Sequence, residues 1–254
     1  MEPTVVSAMA HVQVNAGDIE LEEPVLVEGL PGVGLVGKIA ADHLIEQLEM
    51  TYYGTVHCEG LPQVAAYRGE QSDVFPPVRL YADEANDLLV LQSDVPVSPT
   101  QADEFAPCLT GWLESNDVLP LYLSGLPIEK EGVPEMWGIA TGDAGDRIEA
   151  AGIVPPREGG LVTGPTGALL YQASEAEMDA AAFIVESEAQ FPDPEAARIL
   201  LEHGVEPIAE IEVDTDALVE RADEIQQARE RLVRQLQEAS DNESTRAQPI
   251  RGFQ

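Results

Sequence analysis

The residues with the clearest potential for chemistry form a glycine-rich segment early in the chain. Gly32, Gly34 and Gly37 stand in the spacing G-x-G-x-x-G, after a run that predicts a strand and before a pattern that predicts a helix. Glycines at this spacing permit a tight turn, and the first amides of the helix can then face a phosphate. Lys38 completes a second template, G-x-x-x-x-G-K, although the next residue is not the Ser or Thr of a P-loop. These four residues are therefore candidates for binding a phosphate ligand.

The same glycines also suit a purely structural turn. Pro31 precedes Gly32 directly, so the turn begins with a fixed φ, and Gly29 adds a further glycine upstream. Glycines at such a turn let a helix pack close to a sheet. An acidic residue, Glu59, does follow at about the distance that a dinucleotide site requires. Both the ligand and the structural interpretation remain open at this point.

No catalytic set accompanies the glycine segment. The chain contains neither G-x-S-x-G nor H-E-x-x-H. Ser93-Asp94 and Thr141-Gly142-Asp143 follow predicted strands, where α/β proteins place their sites. Carboxylates are so abundant in this chain that chance explains these positions better. We therefore expect no catalytic residue, no cofactor and no enzymatic activity.

The cysteines and histidines do not suggest a metal site. The two cysteines, Cys58 and Cys108, form neither a disulfide framework nor a metal-ligand spacing. His57 and Glu59 flank Cys58, but neighbouring residues on a strand point to opposite faces and cannot easily share one ion. The expectation is ordinary packing, with no disulfide and no metal.

Strand and helix patterns alternate through most of the chain, which predicts an α/β fold. The expected architecture is a three-layer α/β/α sandwich with a largely parallel or mixed central sheet. Thr100 is predicted to cap one helix, Gly204 to end another, and Gly69 to lie in a hairpin between the strands at 64–67 and 78–82. Runs of apolar and β-branched residues predict strands at 11–15, 24–28, 51–56, 64–67, 78–82, 87–93, 118–124, 138–141 and 182–186. Helices are predicted at 37–49, 100–114, 144–151 and 193–203, and 167–173 fits either a helix or a strand.

The last part of the chain has a different pattern. Residues 215–239 contain no Gly or Pro, and apolar positions recur at alternating spacings of three and four, which predicts a long amphipathic helix. This helix could pack on its own domain or mediate oligomerisation, and the pattern does not decide between them. We expect three parts: a domain at 1–213, this helix at 214–240, and a flexible tail at 241–254. The candidate oligomerisation positions are Leu218, Ala222, Ile225, Leu232 and Leu236.

The charge of the chain is strongly acidic. There are 47 acidic against 13 basic residues, a net charge of −34, and Lys38 and Lys130 are the two lysines. The Debye length falls from about 8 Å at 0.15 M salt to about 3 Å at 1 M, so molar salt screens such a surface. We interpret the charge as adaptation to the cytoplasm of a halophilic archaeon; the alternative is a basic partner. Nucleic acids and anionic membranes are disfavoured as partners. The start of the chain lacks a basic signal region, and no apolar run reaches about 20 residues, so a cytoplasmic location is expected.

Two glycine motifs resemble those of the proteasome assembly chaperone 2 family. Residues 27–38 are similar to its N-terminal motif, 164–170 to its second motif, and 193–197 to the start of its late helix; the likeness covers about residues 24–236. The resemblance implies an α/β/α sandwich of the phosphorylase/hydrolase type, a chaperone rather than an enzyme, binding to proteasome α subunits, and a homo-oligomer. A nucleotide-binding protein or enzyme is the alternative. The structural motif residues are Gly29, Pro31, Gly32, Gly34, Gly37, Gly164, Pro165 and Gly167.

Several members of that family carry a C-terminal tail of the form hydrophobic–Tyr–any, which enters a pocket between adjacent α subunits. This chain ends in Gly252-Phe253-Gln254, so Phe replaces Tyr and Gly replaces the hydrophobic residue. The lost hydroxyl hydrogen bond is worth about 0.5–1.5 kcal/mol, and the lost apolar side chain about 1.5–3 kcal/mol. The resemblance thus implies Phe253 and Gln254 as partner-binding residues of a weakened motif.

Overall fold

The computed structural model describes residues 11–59, 61–67, 72–128 and 132–220. The strands are β1 His11–Val14, β2 Val25–Gly29, β3 Thr51–His57, β4 Ala66–Tyr67, β5 Val74–Phe75, β6 Val78–Asp83, β7 Leu88–Ser93, β8 Leu119–Pro127, β9 Met136–Thr141 and β10 Ala180–Ser187. The helices are α1 Val36–Gln47, α2 Pro99–Ser115, α3 Ala144–Ala150, α4 Gly164–Glu175, α5 Pro194–Leu200 and α6 Glu206–Ala209.

One eight-stranded sheet forms the centre, in the order β1-β3-β6-β7-β2-β8-β10-β9. The four strands β7, β2, β8 and β10 are parallel, and β6 and β9 join them antiparallel on either side. The carboxyl ends of the parallel strands therefore meet along one edge of the sheet, which we call the carboxyl edge. The predicted α/β class with a mixed central sheet is confirmed.

Helices cover both faces of this sheet, so the central strands are apolar on both sides. Along β2, Val27 packs in the core with α1, α3 and α5, whereas Leu26 packs in the second core with α2 and α4. All six residues of β7 are buried, which explains the unbroken apolar run in its sequence. The alternation of side chains along β2 places the next residue, Glu28, on the side of α2 and α4.

Two predicted helix ends were wrong. Ser98, not Thr100, caps α2: its hydroxyl accepts from the Gln101 amide while the Gln101 side chain accepts from the Ser98 amide. Gly204 lies inside a π-helical turn, Leu201–Val205, that connects α5 to α6. A Cβ at this position would lie 2.8 Å from the Phe183 ring, so Gly204 serves close packing on the sheet and not termination.

The strand at 64–67 was expected to form a hairpin with the strand at 78–82, and that pairing was wrong; Gly69, expected in the turn, lies outside the described residues. β4 pairs with β5 in a separate two-stranded sheet, whereas β6 lies between β3 and β7. The first five residues of β6 are buried, so it needs neighbours on both sides, and the exposed β4 cannot provide that cover. The segment 167–173, open between helix and strand, belongs to α4.

The beginning of the C-terminal helix packs on the domain itself. Residues 216–220 are helical, and Leu218 is fully buried in the core. The preceding segment is held by a 2.7 Å hydrogen bond between His43 Nε2 and the Asp214 carbonyl oxygen, and by one of 2.6 Å from Thr215 Oγ1 to Glu202. Leu218 thus contributes to its own domain's core. The remaining candidate positions Ala222, Ile225, Leu232, Leu236, Phe253 and Gln254 lie outside the described residues.

Cys58 and Cys108 form a disulfide, so the expectation of none was wrong. The bond joins the residue after β3 to the middle of α2, with 5.9 Å between the two Cα atoms. Cys58 packs at the border of the core that α2 covers, and Cys108 lies on α2 itself, so the fold brings them together although they are 50 residues apart. Their sequence spacing carries no sign of this contact. Within the described ranges, no helix combines the length and apolar character needed to cross a bilayer.

Candidate functional site at the carboxyl edge

The carboxyl edge brings the two glycine motifs into contact. The first motif leaves β2 after Glu28, and the second forms the first turn of α4. Thr166 Oγ1 of the second motif donates to Glu28 Oε2 of the first at 3.2 Å, across 138 residues of sequence. The motifs that sequence analysis singled out separately are therefore two halves of one junction.

Glu28 is the centre of this junction. Its carboxylate is fully buried and accepts from the Leu30 amide at 2.8 Å and from the Leu123 amide at 3.3 Å. Burial raises the pKa of Glu28 to about 7, although hydrogen bonds from Leu30, Leu123 and Thr166 act in the opposite direction. Burial and the nearby Glu28 carboxylate also raise the pKa of Tyr122 above its usual range. Glu28 lies inside the motif, but its position in the sequence does not indicate this role.

We expect the Glu28→Gln variant to lose part of the protein's pH dependence. Between pH 4.5 and about 7 native Glu28 keeps a proton that the unfolded chain has released, so the free energy of unfolding falls as pH rises through this window. The full loss above about pH 7 is on the order of 3 kcal/mol. In denaturant unfolding, the free energy of unfolding of Glu28→Gln relative to that of wild type should increase from about pH 4 to about pH 8. Glu114→Gln, at an exposed position, is the control; a difference between Glu28→Gln and wild type that does not change with pH would contradict this role.

The glycines of the first motif make room for protein atoms. A Cβ at Gly34, whose φ is +60°, would collide with the Ser187 hydroxyl and lie 3.1 Å from the Glu188 carbonyl oxygen. At Gly37 a Cβ would lie 3.2 Å from the Glu28 carbonyl oxygen. Gly29 is confined by Leu91 and by the Ala41 side chain on α1. A phosphate cradle would leave this space to its ligand, whereas here the chain itself fills it.

The third segment that resembles the chaperone family, the start of α5, touches the same loop. The Asp193 amide donates to the Gly34 carbonyl oxygen at 2.8 Å. Its carboxylate accepts from the Ala196 amide at 3.1 Å, which caps α5, and from the Glu188 amide at 3.0 Å. A carboxylate beside the glycine turn also opposes a bound phosphate. The three segments that resembled the chaperone family therefore meet at this edge.

Lys38 does not complete a P-loop. Its ammonium group lies 2.9 Å from Asp42 one turn along α1 and 3.8 Å from Asp94 after β7. These two carboxylates neutralise the cation that would have paired with a phosphate. Of the three glycines among the phosphate candidates, Gly32 alone has open space where a side chain would be.

A buried polar network that the sequence did not predict lies beside Lys38. Arg79 on β6 is 1% exposed and donates to Asp94, Gln92 and the Pro76 carbonyl oxygen, each at 2.6 Å. Gln92 in turn donates to Asp42 at 2.6 Å. The network joins β6, β7 and α1 at the carboxyl edge. The sequence feature that could have indicated this network is an arginine inside an apolar strand, in a chain with few cations.

The other sequence candidates do not form a site. Ser93 donates to the Val95 carbonyl oxygen at 2.7 Å, and Asp94 belongs to the arginine network. Thr141-Gly142-Asp143 follows β9, which is antiparallel to β10, so it lies at the opposite edge, where the Asp143 amide donates to Asp179 at 2.6 Å. Across the described parts of the chain, no three His, Cys, Asp or Glu residues are grouped to hold a metal ion.

A shallow cavity of about 440 Å³ lies away from the carboxyl edge. It is lined by the start of β3, the end of β6 and the acidic side chains Asp18, Glu49, Asp83 and Glu84. An acidic lining at the amino ends of the parallel strands is not where α/β folds bind nucleotides. The cavity therefore does not support the phosphate interpretation.

The chain is similar in sequence and in fold to known archaeal proteins. Over 224 residues the chain is 29% identical to an uncharacterised protein of Methanocaldococcus jannaschii, covering 87% of this chain and 90% of that protein. The fold of the present chain is similar to that of Pyrococcus furiosus PbaA, which is described as an archaeal homologue of proteasome-assembly chaperone. The TM-score is 0.77 and the identity 26%, over 93% of this chain and 96% of PbaA. It is also similar to Pyrococcus furiosus PbaB, described as an archaeal proteasome activator, with a TM-score of 0.69, 25% identity and coverage of 90% and 99%.

The family assignment rests on a match along most of the sequence. The matched residues are 26–233, which include the strand before the first glycine motif, the second motif and the start of α5. The chain belongs to the PAC2 family.

Proposed function

We propose that this chain is a non-enzymatic, chaperone-like protein that binds proteasome α subunits as a homo-oligomer in a high-salt cytoplasm. The observation that carries the proposal is the likeness to PbaA over 93% of the chain. That protein is described as a homologue of a proteasome-assembly chaperone, and PbaB, with the same fold, as a proteasome activator. Two proteins of this fold are thus described in relation to the proteasome, one as a homologue of an assembly chaperone and one as an activator.

The organisation of the carboxyl edge supports a binding role over a catalytic one. Its buried carboxylate, Glu28, accepts three hydrogen bonds from the chain's own Leu30, Leu123 and Thr166. Its cations, Lys38 and Arg79, are paired with Asp42 and Asp94. These groups hold loops in place, and they leave the surface of the edge to apolar side chains.

The test is copurification from a lysate in molar salt, followed by mass spectrometry. We expect the full chain to recover proteasome α subunits. A variant lacking residues 252–254 measures the part played by the tail, and Phe253→Ala measures the ring; both should recover less if the tail docks as in the family. Recovery of no α subunit by any of the three would reject the proposal.

A nucleotide-binding protein remains the second candidate because of the spacing of the first glycine motif. Gly32, Gly34 and Gly37 match G-x-G-x-x-G, Lys38 follows them, and a Cβ at Gly32 would meet no other atom within 4 Å. If the proposed function is correct, ATP and NAD should leave the midpoint of thermal unfolding in molar salt unchanged. A rise that depends on ligand concentration, and that Lys38→Met abolishes, would favour nucleotide binding instead.

A further inference from the structure

Three uncharged stretches of the chain come together at the carboxyl edge. They are residues 29–37, 118–128 and 159–174, in a chain of which 24% of residues are charged. Val33 of the first packs on Gly125 of the second, where a Cβ would lie 3.2 Å from the Val33 Cβ. Thr166 of the third bonds Glu28 beside the first. We call the surface formed by these three stretches the uncharged edge.

Apolar side chains are exposed along this surface. Leu161 is 92% exposed, Tyr171 64% and Ile128 43%. The Val162 carbonyl group lies against Gly167 of α4, and Tyr171 follows one turn later on the same helix face, so Val162 and Tyr171 lie along the same side of α4. The half-buried apolar residues that complete the surface are Pro31, Val33, Leu35, Leu126 and Val162.

The neighbouring surface is acidic. Asp42 and Asp94, about one third exposed, lie on the α1 side. On α2, which packs against α4, Asp103, Glu104 and Glu114 are exposed. The uncharged edge is therefore an apolar area with carboxylates on its α1 and α2 sides, and the exposed Arg157 lies two residues before its third stretch.

We propose that the uncharged edge is the surface through which two copies of this chain associate. Each copy carries a net charge of −34, so contact through most other faces would bury carboxylate against carboxylate, where salt screens the repulsion much less than at an exposed surface. A face without charges lets two such molecules meet without that repulsion, and exposed apolar side chains there gain from burial. A basic partner would instead be attracted to the acidic faces. This inference rests on the homo-oligomer of the proposed function and assigns its surface.

Sedimentation velocity in molar KCl tests the proposal with a matched pair of substitutions. Tyr171→Glu places a charge on the uncharged edge, and Tyr67→Glu places the same charge on β4, where the tyrosine is 82% exposed. We expect wild type and Tyr67→Glu to sediment as the same oligomer. Tyr171→Glu and Leu161→Glu should raise the dissociation constant by about tenfold or more. Tyr171→Phe, which adds no charge, should keep the dissociation constant of wild type. Circular dichroism of each variant confirms that it is folded.

Three outcomes would overturn the inference: a monomeric wild type, an oligomer unaffected by both glutamate variants, or an oligomer that dissociates only when residues 215–254 are removed. The last result would assign association to the C-terminal helix. Copurification of α subunits with the same variants separates this inference from the proposed function. If the protein recovers α subunits but Tyr171→Glu leaves its oligomer unchanged, the surface alone is rejected. If Tyr171→Glu dissociates the oligomer but wild type recovers no α subunit, the function alone is rejected.

Discussion

Replacing Arg79 with methionine is expected to lower the free energy of unfolding by about 3 kcal/mol or more. The guanidinium group is 1% exposed and provides hydrogen bonds to Asp94, Gln92 and the Pro76 carbonyl oxygen. Methionine fills much of the volume but leaves these acceptors without their donor, and the removal of one partner of a buried ion pair is strongly destabilising. Asp94 is 34% exposed and also near Lys38, so water and lysine limit the loss.

Denaturant unfolding in molar salt measures this effect, with Arg147→Met on the exposed face of α3 as the matched control. The control should change stability by no more than about 0.5 kcal/mol. The double variant Arg79→Met with Asp94→Leu should be less destabilised than the sum of the two single changes, because it removes both charges together. A loss below about 1 kcal/mol for Arg79→Met would show that the network contributes little to the fold.

Loss of the disulfide between Cys58 and Cys108 is expected to destabilise the chain by about 4 kcal/mol. The bond closes a loop of 50 residues, and the chain-entropy model gives a contribution of this order for a loop of that size. The loop contains β4 to β7, so two strands of the central sheet, β6 and β7, lie inside it. Reduction would free these residues only in the unfolded state, because β6 and β7 remain paired in the native sheet.

The measurement compares unfolding with and without a thiol reductant, for wild type and for Cys58→Ser with Cys108→Ser. Wild type should lose stability on reduction and then match the double variant, which should not respond to the reductant. Thiol titration of the freshly isolated protein gives the oxidation state directly. This titration matters because disulfides are rare in a reducing cytosol. Two free thiols in that sample would contradict the bond.

The sequence predicted elements whose cause is local. β2 and β7 are apolar runs with flanking breakers, and α5 begins with Asp193 and Pro194, so their existence follows from short-range pattern. The pairing of β4 with β5 instead of β6 depends on which strand the helices bury, and no local pattern contains that information. The cap of α2 was also assigned to the wrong residue. Ser98, two residues before Thr100, caps the helix because it forms reciprocal hydrogen bonds with Gln101.

The site shows the same division. The glycine spacing correctly indicated a tight turn between β2 and α1, but the reason for Gly34 is Ser187, which lies far along the chain. Glu28 and Thr166 were each part of a recognised motif, yet their bond requires the fold to bring α4 to the end of β2. Cys58 and Cys108 were judged on spacing, and their contact follows from the position of α2 over β3.

The proposal that this chain binds proteasome α subunits is tested most directly with purified components. The chain and α subunits from the same organism would be mixed in molar KCl and analysed by sedimentation velocity, with each protein labelled by a different absorbing dye. We predict a faster species that contains both labels and that weakens when residues 252–254 are removed. Two species that sediment independently at all ratios, with α subunits that still assemble into rings, would contradict the proposal.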